Sequence, residues 1–277
     1  MSTPKYRLTP SLLNKFQDFL DSDRLWEQFY GGSEDPVMSI EEYSAKCEQE
    51  LLDACNRVPF TSEAASKGTA LNEIIDCILM HRKPREDMEV HRLVRNEDGS
   101  IALCADKKIP ERSMIIGLEA VLDGFRFAFD MNLVDMLTDY FFGSICQYRC
   151  EATIDTKAGP VILYGDADYI RRDIVYDLKT TTRYEFGKFS NGWQKHLYPY
   201  CLIESGDITE VSGFEYTVVP LTGGTSRTPL ISGSIYREWY DYSHENTKCA
   251  LVEIVEPFID WLEAHRSQIT HPRVFNG

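Results

Sequence analysis

Apolar residues at Leu12, Leu13, Phe16, Phe19 and Leu20 recur at the three- and four-residue steps of one helix face, and Thr9 followed by Pro10 supplies a cap and a first-turn residue. A second helix is predicted from Ser39. There Ser39 and Glu42 have capping-box spacing, Ala45, Leu51, Leu52 and Cys55 follow, and Pro59 ends the element. A third helix, from Ser62 to about Arg82, shows a stripe of Ala70, Leu71, Ile74, Ile75, Ile78 and Leu79. Residues 83–113 are charged and broken by Pro84, Gly99 and Pro110, with a short hairpin at Asn96–Gly99. An extended stretch at Phe125, Phe127 and Phe129 then leads into a helix from about Asp130 with Leu133, Val134, Leu137 and Tyr140 on its inner side.

From Gln147 the period changes to two. YRCEATID, GPVILYGDADYI and DIVYDLKTTT read as three consecutive strands joined by turns at Lys157-Ala158-Gly159 and Arg172-Asp173, an antiparallel meander. A helix from about Asn191 to Glu204, a strand VSGFEYTVVPL and an amphipathic helix from about His244 to His265 complete the pattern. Leu251, Ile254, Val255, Phe258, Ile259 and Leu262 form the inner side of that last helix. The expectation is one α/β (α+β) domain over 1–277, with a mainly helical part at 1–145 and a sheet core with a C-terminal helix at 146–277.

Composition adds few restraints. Hydrophobic residues at 43% and charged residues at 26% are ordinary globular values. No long apolar run and no secretory pattern appear, so a cytoplasmic, intracellular setting without membrane is expected. The eight cysteines include no CxxC pair, which predicts free thiols, and only Cys249 lies in the last seventy residues, so no iron-sulfur cluster is expected. The net charge of -15 opposes a nucleic-acid role, yet Gly165 to Tyr198 carries six basic residues against five acidic ones, +1, leaving -16 elsewhere.

The meander has a chemical face. If the last hairpin turns at Arg172-Asp173, Arg171 pairs with Ile174, Asp168 falls opposite Asp177, and Asp166 falls opposite Lys179. Alternation then places these four on one side, and Ala167, Tyr169, Ile174, Tyr176 and Leu178 on the other. Two carboxylates across a strand pair repel unless a proton or cation lies between them. A divalent metal would relieve that conflict, with Lys179 beside it to position water or offset charge on a phosphorus centre. The chemistry predicted is phosphodiester hydrolysis.

The order Gly165-Asp166-Ala167-Asp168, Asp177-Leu178-Lys179-Thr180-Thr181 and Gln194-Lys195-His196-Leu197-Tyr198 resembles the G-x-x-D, D-x-K-[ST] and Q-x-x-x-Y motifs of RecB-like exonucleases, of the phage-type single-domain kind, in the PD-(D/E)XK nuclease superfamily. The resemblance implies a restriction-endonuclease-like core with a central mixed sheet flanked by helices. It implies catalytic roles for Asp168, Asp177 and Lys179, and Mg2+ or Mn2+ held by Asp168, Asp177 and the Leu178 carbonyl. It also implies DNA contacts from Gln194 and Tyr198, which share a helix face, and Lys195 could reach a phosphate. Upstream, Lys67-Gly68-Thr69-Ala70-Leu71-Asn72 is similar to the family's G-T-x-x-H segment, with Asn72 where many members have a metal-binding histidine. Asn72, Glu119 and Glu151 are candidates for a further ligand. The implied activity is a deoxyribonuclease, an exonuclease of recombination, repair or phage DNA processing, with a recombinase, helicase or single-strand-binding protein as a partner in trans. The competing expectation is an inactive protein on the same fold that binds nucleic acid or a protein. The histidines are expected at the surface, and Tyr236, Trp239, Tyr240 and Tyr242 in an aromatic patch under a loop.

Overall fold

The computed structural model describes residues 3–104 and 112–275. Strand β1 (Tyr6–Leu8) leads into helix α1 (Pro10–Leu20). Thr9 is extended and its hydroxyl accepts from the Leu12 amide at 3.3 Å, while Pro10 occupies the first turn, where an amide has no partner to lose. Leu12, Leu13 and Phe16 are buried, Phe19 packs at their margin, and Leu20 is exposed. Helix α2 (Ser22–Tyr30), which the pattern did not mark, buries only Ser22 and so has no apolar stripe to read. Helix α3 (Ile40–Asn56) opens with the predicted capping box: Ser39 Oγ accepts from the Glu42 amide at 3.2 Å and the Glu42 carboxylate accepts from the Ser39 amide at 2.8 Å. Helix α4 (Glu63–Met80) starts at Ser62 and buries Ala70, Leu71, Ile74 and Ile75.

The N-terminal half is thus helical through Met80, and a sheet hidden by the charge pattern follows. Strands β2 (Glu89–Arg95), β3 (Ile101–Leu103), β4 (Ile115–Leu122) and β5 (Phe125–Asp130) form an antiparallel sheet in the order β3-β2-β4-β5. Strand β2 reads EVHRLVR with only Leu93 buried, which masks its alternation. The β2–β3 hairpin turns at Asn96–Gly99 as predicted, where the Gly99 amide donates to the Asn96 carbonyl; Pro110 lies outside the described residues. Asp130 then caps helix α5 (Met131–Phe141).

The central sheet is mixed and contains seven strands. Strands β6 (Ile145–Thr156), β7 (Gly159–Arg171) and β8 (Ile174–Thr181) form the predicted meander. Arg172 turns the last hairpin with a left-handed φ of 57°. Helix α6 (Gln194–Glu204) returns the chain so that β9 (Gly213–Thr222) lies parallel to β8. Strands β10 (Ser232–Gly233) and β11 (Tyr236–Asp241) add antiparallel to β9 before helix α7 (His244–Ala264). Tyr236, Trp239 and Tyr240 lie on β11, where Tyr236 meets Tyr184 of the loop before α6 at 5.2 Å between ring centres and Tyr240 meets Tyr216 at 5.9 Å, so the predicted aromatic patch is built on a strand. One apolar cluster joins α1, α3, α6 and α7 to the central sheet, and a second joins α4, α5 and the smaller sheet to it.

Strand β7 has a divided edge. Its β6 side is paired along nearly the whole strand, whereas its other side pairs with β1 only at Val161–Leu163 and with β8 only at Tyr169–Arg171. Between these short ladders, residues 164–168 pair with neither strand on that side. Strand β8 meanwhile continues along β9 as far as Thr181. The two strands open into a fork.

Candidate active site

The predicted hairpin register is observed at Tyr169–Tyr176, Ile170–Val175 and Arg171–Ile174. It stops one position short of Asp168 and Asp177. Instead of lying in a ladder pair, the Asp168 carboxylate accepts a hydrogen bond from the Leu178 amide at 3.0 Å. On the β6 side the register likewise omits a Gln147–Asp168 pair, and Gln147 has a φ of 50°. Alternation reverses across this point: Ala167 packs with Leu163 and Ile170 in the first cluster, and Tyr169 packs with Tyr176 and Leu178 in the second. The expectations that Ala167 shares the Tyr169 side and that Asp166 faces Lys179 are corrected accordingly. Asp166 points to solvent and pairs with Arg149 at 3.2 Å.

Asp177 is buried, and Lys179 Nζ lies 2.6 Å from its Oδ2. Burial pushes the Asp168 carboxyl up to about 8, Asp177 adds to the rise, and Lys179 and the Leu178 N–H oppose it. For Lys179 burial pulls downward, but the charges of Asp177 and Asp168 outweigh it and hold the ammonium above its ordinary value. The ammonium also lies 5.7 Å from the centre of the Tyr216 ring.

Two helices close the fork. On α6, Tyr198 packs against Gly165, where an added Cβ would come within 2.6 Å of its ring, and burial, followed by the charges of Asp177 and Asp168, pushes its phenol up. Gln194, one turn earlier, accepts at Oε1 from Asn14 at 3.2 Å and from the Tyr216 hydroxyl at 3.3 Å. On α4, Gly68 approaches β8 so closely that a Cβ there would lie 2.6 Å from Thr180 Oγ1. Further along α4, Asn72 Oδ1 is buried without a hydrogen-bond partner. Asp76, one turn beyond Asn72, is 2% exposed, lies close enough to raise the Asp168 carboxyl, and is itself pushed up to about 6 by burial. The sequence did not single out Asp76, because an acidic residue inside an apolar helical stripe has no motif to announce it.

A cleft of about 370 Å³ opens at Lys179, between α1, α2 and the loop before α6, and is lined by Asn14, Arg24, Lys179, Lys188, Gln194 and Tyr216 among others. The structure therefore brings together Asp168, Asp177, Leu178, Lys179, Gln194 and Tyr198, with Asn72 on the adjoining helix. It places three candidates elsewhere. Glu119 lies on β4 with Arg126 at 2.7 Å, and Glu151 lies on β6 with Arg7 at 2.6 Å. Lys195 donates to the Ser190 carbonyl and sits 4.8 Å from the centre of the Tyr240 ring. His196 beside it is half-buried against Trp193, and burial and Lys195 pull it down to about 4, so it is not the surface histidine expected.

Among the described residues, no three His, Cys, Asp or Glu side chains gather as a chelating group, and no helix is long and apolar enough to cross a membrane. Cys47, Cys55, Cys77, Cys146, Cys150, Cys201 and Cys249 are free thiols, with Cys47, Cys55, Cys150 and Cys201 buried and Cys249 exposed. No protein-family profile and no curated protein matches the chain. Among solved structures, a crystal structure of SSO0001 aligns at 17% identity with a TM-score of 0.30, covering 47% of this chain and 56% of that one. A likeness so slight carries no argument about fold or activity.

Proposed function

We propose that this chain is a Mg2+- or Mn2+-dependent deoxyribonuclease with a restriction-endonuclease-like core and RecB-like site, acting as an exonuclease in recombination, repair or phage DNA processing. The observation that carries this reading is the closeness of Asp168 to Asp177 where the fork opens, beside Lys179. Burial first and the Asp177 charge second raise the Asp168 carboxyl, and a divalent cation would relieve the repulsion between the two. The donor set fits such an ion. Two carboxylates would be joined by neutral oxygens, the Leu178 carbonyl and Asn72 Oδ1, the latter buried without a partner, and hard oxygen donors of this kind suit Mg2+ while leaving room for water.

A bound Mg2+ would supply charge against a phosphate and favour ionisation of a water. Asp168 and Asp177 hold the site's negative charge in place, the first fixed by the Leu178 amide and the second by Lys179. Lys179, kept protonated, donates toward the attacking water or a non-bridging phosphate oxygen. Gln194 has its Oε1 occupied by Asn14 and Tyr216, which leaves its amide N–H groups to donate to the substrate strand. Tyr198 forms the wall beside the two carboxylates.

The test is incubation with end-labelled linear and circular DNA, single- and double-stranded, in Mg2+, Mn2+ or EDTA. Metal-dependent loss of linear DNA, abolished by Asp177→Ala with the circular dichroism spectrum preserved, is the expected result. An absence of cleavage with either metal would overturn the proposal. A second reading, a DNA- or protein-binding molecule without catalysis, is favoured by the net charge of -15 and by Asn72 standing where the resemblance has histidine. It predicts DNA or protein binding without cleavage.

A further inference from the structure

The open edge of β7 leads to a second cavity. About 490 Å³ in volume, it lies at the start of α1 and is lined by Thr9, Pro10 and Ser11, by Tyr164, Gly165 and Asp166 of β7, by Tyr198, and by Arg57, Arg149 and Arg273. Three guanidinium groups face one carboxylate in a chain whose overall charge is -15. Arg149 has its partner, Asp166; among the described residues neither Arg57 nor Arg273 has an ion-pair partner. Arg149 and Arg273 lie 4.4 and 5.4 Å from the centre of the Tyr164 ring, which holds them in place without neutralising them. Arg57 adopts a left-handed φ of 55° at the end of α3, where glycine is the ordinary choice.

Tyr198 ties this cavity to the site. It lines the cavity and also stands beside Asp168 and Asp177. Helix α1 spans the same interval, contributing Thr9–Leu12 to the arginine cavity and Asn14, Gln17 and Asp18 to the Lys179 cleft. At 1.5 Å per residue these two groups are separated by roughly 10 Å along the helix. A chain of phosphates passing the carboxylates would reach both.

We infer that the Arg57–Arg149–Arg273 cavity is a subsite for backbone phosphates of a nucleic-acid strand entering the fork past Tyr198. This rests on the nuclease reading for its substrate class, but its test does not depend on cleavage. Guanidinium groups suit phosphate by geometry, and those without a carboxylate have no ion pair to break.

The experiment measures binding of a fluorescent single-stranded DNA 20-mer in EDTA across a salt series. The wild type is compared with Arg57→Gln/Arg273→Gln and with a control double substitution, Arg92→Gln/Arg95→Gln, on β2 of the smaller sheet. The inferred subsite predicts at least tenfold weaker binding for the first variant and a salt slope reduced by about 1.4, at about 0.7 per lost single-strand phosphate contact. The control should match the wild type. Unchanged affinity and slope, or no DNA binding by the wild type, would overturn the inference. So would weakened binding of inorganic phosphate with an unchanged DNA slope, which denotes a site for the free ion. If the double variant fails to fold, Arg273→Gln alone carries the test, with an expected slope change of about 0.7. Intact binding without cleavage would count against the nuclease reading alone, and cleavage with an unchanged slope against the subsite alone.

Discussion

The Leu178 amide donates to Asp168 at 3.0 Å at the place where β7 and β8 part, so a side chain occupies a donor that a longer ladder would have given to backbone. The fork and the carboxylate pair are therefore one feature. A group raised to about 8 in the fold and near about 4 in the unfolded chain binds its proton more tightly when folded. Without metal, stability should fall as pH rises from about 4 to about 8 and level off above. Thermal unfolding in EDTA should show this slope in the wild type and lose its upper part, above about pH 6, in Asp168→Asn, where Asp76 still titrates, with a difference on the order of 5 kcal/mol at pH 8. Added Mg2+ should restore stability at pH 8 only where Asp168 is present. Equal slopes for the two proteins would refute the linkage.

Much of this site was legible because hairpin register is arithmetic: once Arg172-Asp173 is the turn, Tyr169 must meet Tyr176, and Asp168 must approach Asp177. The loss of pairing at Asp168 was not legible, since it coincides with the φ of Gln147 on β6 and with Tyr198 of α6 packing on Gly165, contacts made by other parts of the chain. The capped helices α1, α3 and α4 were readable from local hydrogen bonding and apolar stripes. Strands β2 and β11 were not, because EVHRLVR is charged and YREWYD takes its place only by pairing with β9. Lys195 shows the limit of motif reasoning: helical position fixes its direction, and Tyr240 and Ser190 fix where its ammonium ends.

Gly68 is required by proximity. Its replacement by alanine should raise helix propensity by about 1 kcal/mol, yet the new methyl would meet Thr180 Oγ1 at 2.6 Å. Gly68→Ala should therefore destabilise the protein by shifting α4 away from β8 and, on the proposed nuclease reading, impair DNA cleavage. Thr180→Ala removes the obstructing oxygen, so Gly68→Ala in that background should be neutral or stabilising. A double-mutant cycle by urea unfolding checks this, and additive effects would show that the contact is not limiting.

Glu238 on β11 is fully buried and accepts from the Tyr184 hydroxyl at 2.9 Å, the Gly187 amide at 2.9 Å and the Tyr240 hydroxyl at 2.8 Å. Two of these donors belong to the loop that carries Lys188 to the cleft. Glu238→Ala should cost about 3 kcal/mol by leaving buried donors unpaired. It should also raise hydrogen exchange across residues 182–193 before it affects α7. Exchange rising equally throughout the chain would contradict this local role.

Substitution at Asn72 would test stability and the proposed metal affinity separately. Its buried Oδ1 has no hydrogen-bond partner, an arrangement that costs about 1–3 kcal/mol when uncompensated. Asn72→Ala removes that burden and opens a small cavity, so the metal-free protein should unfold within about 1 kcal/mol of the wild type. If the amide oxygen serves the cation, the same substitution should weaken Mg2+ binding by tenfold or more in calorimetry and lower cleavage at limiting Mg2+, with partial recovery at high Mg2+. Asn72→Asp should shift both in the opposite direction, because an added carboxylate strengthens a hard-cation site. Parallel loss of stability and activity in Asn72→Ala, without recovery by Mg2+, would make Asn72 a packing residue and leave the ion to Asp168, Asp177 and the Leu178 carbonyl.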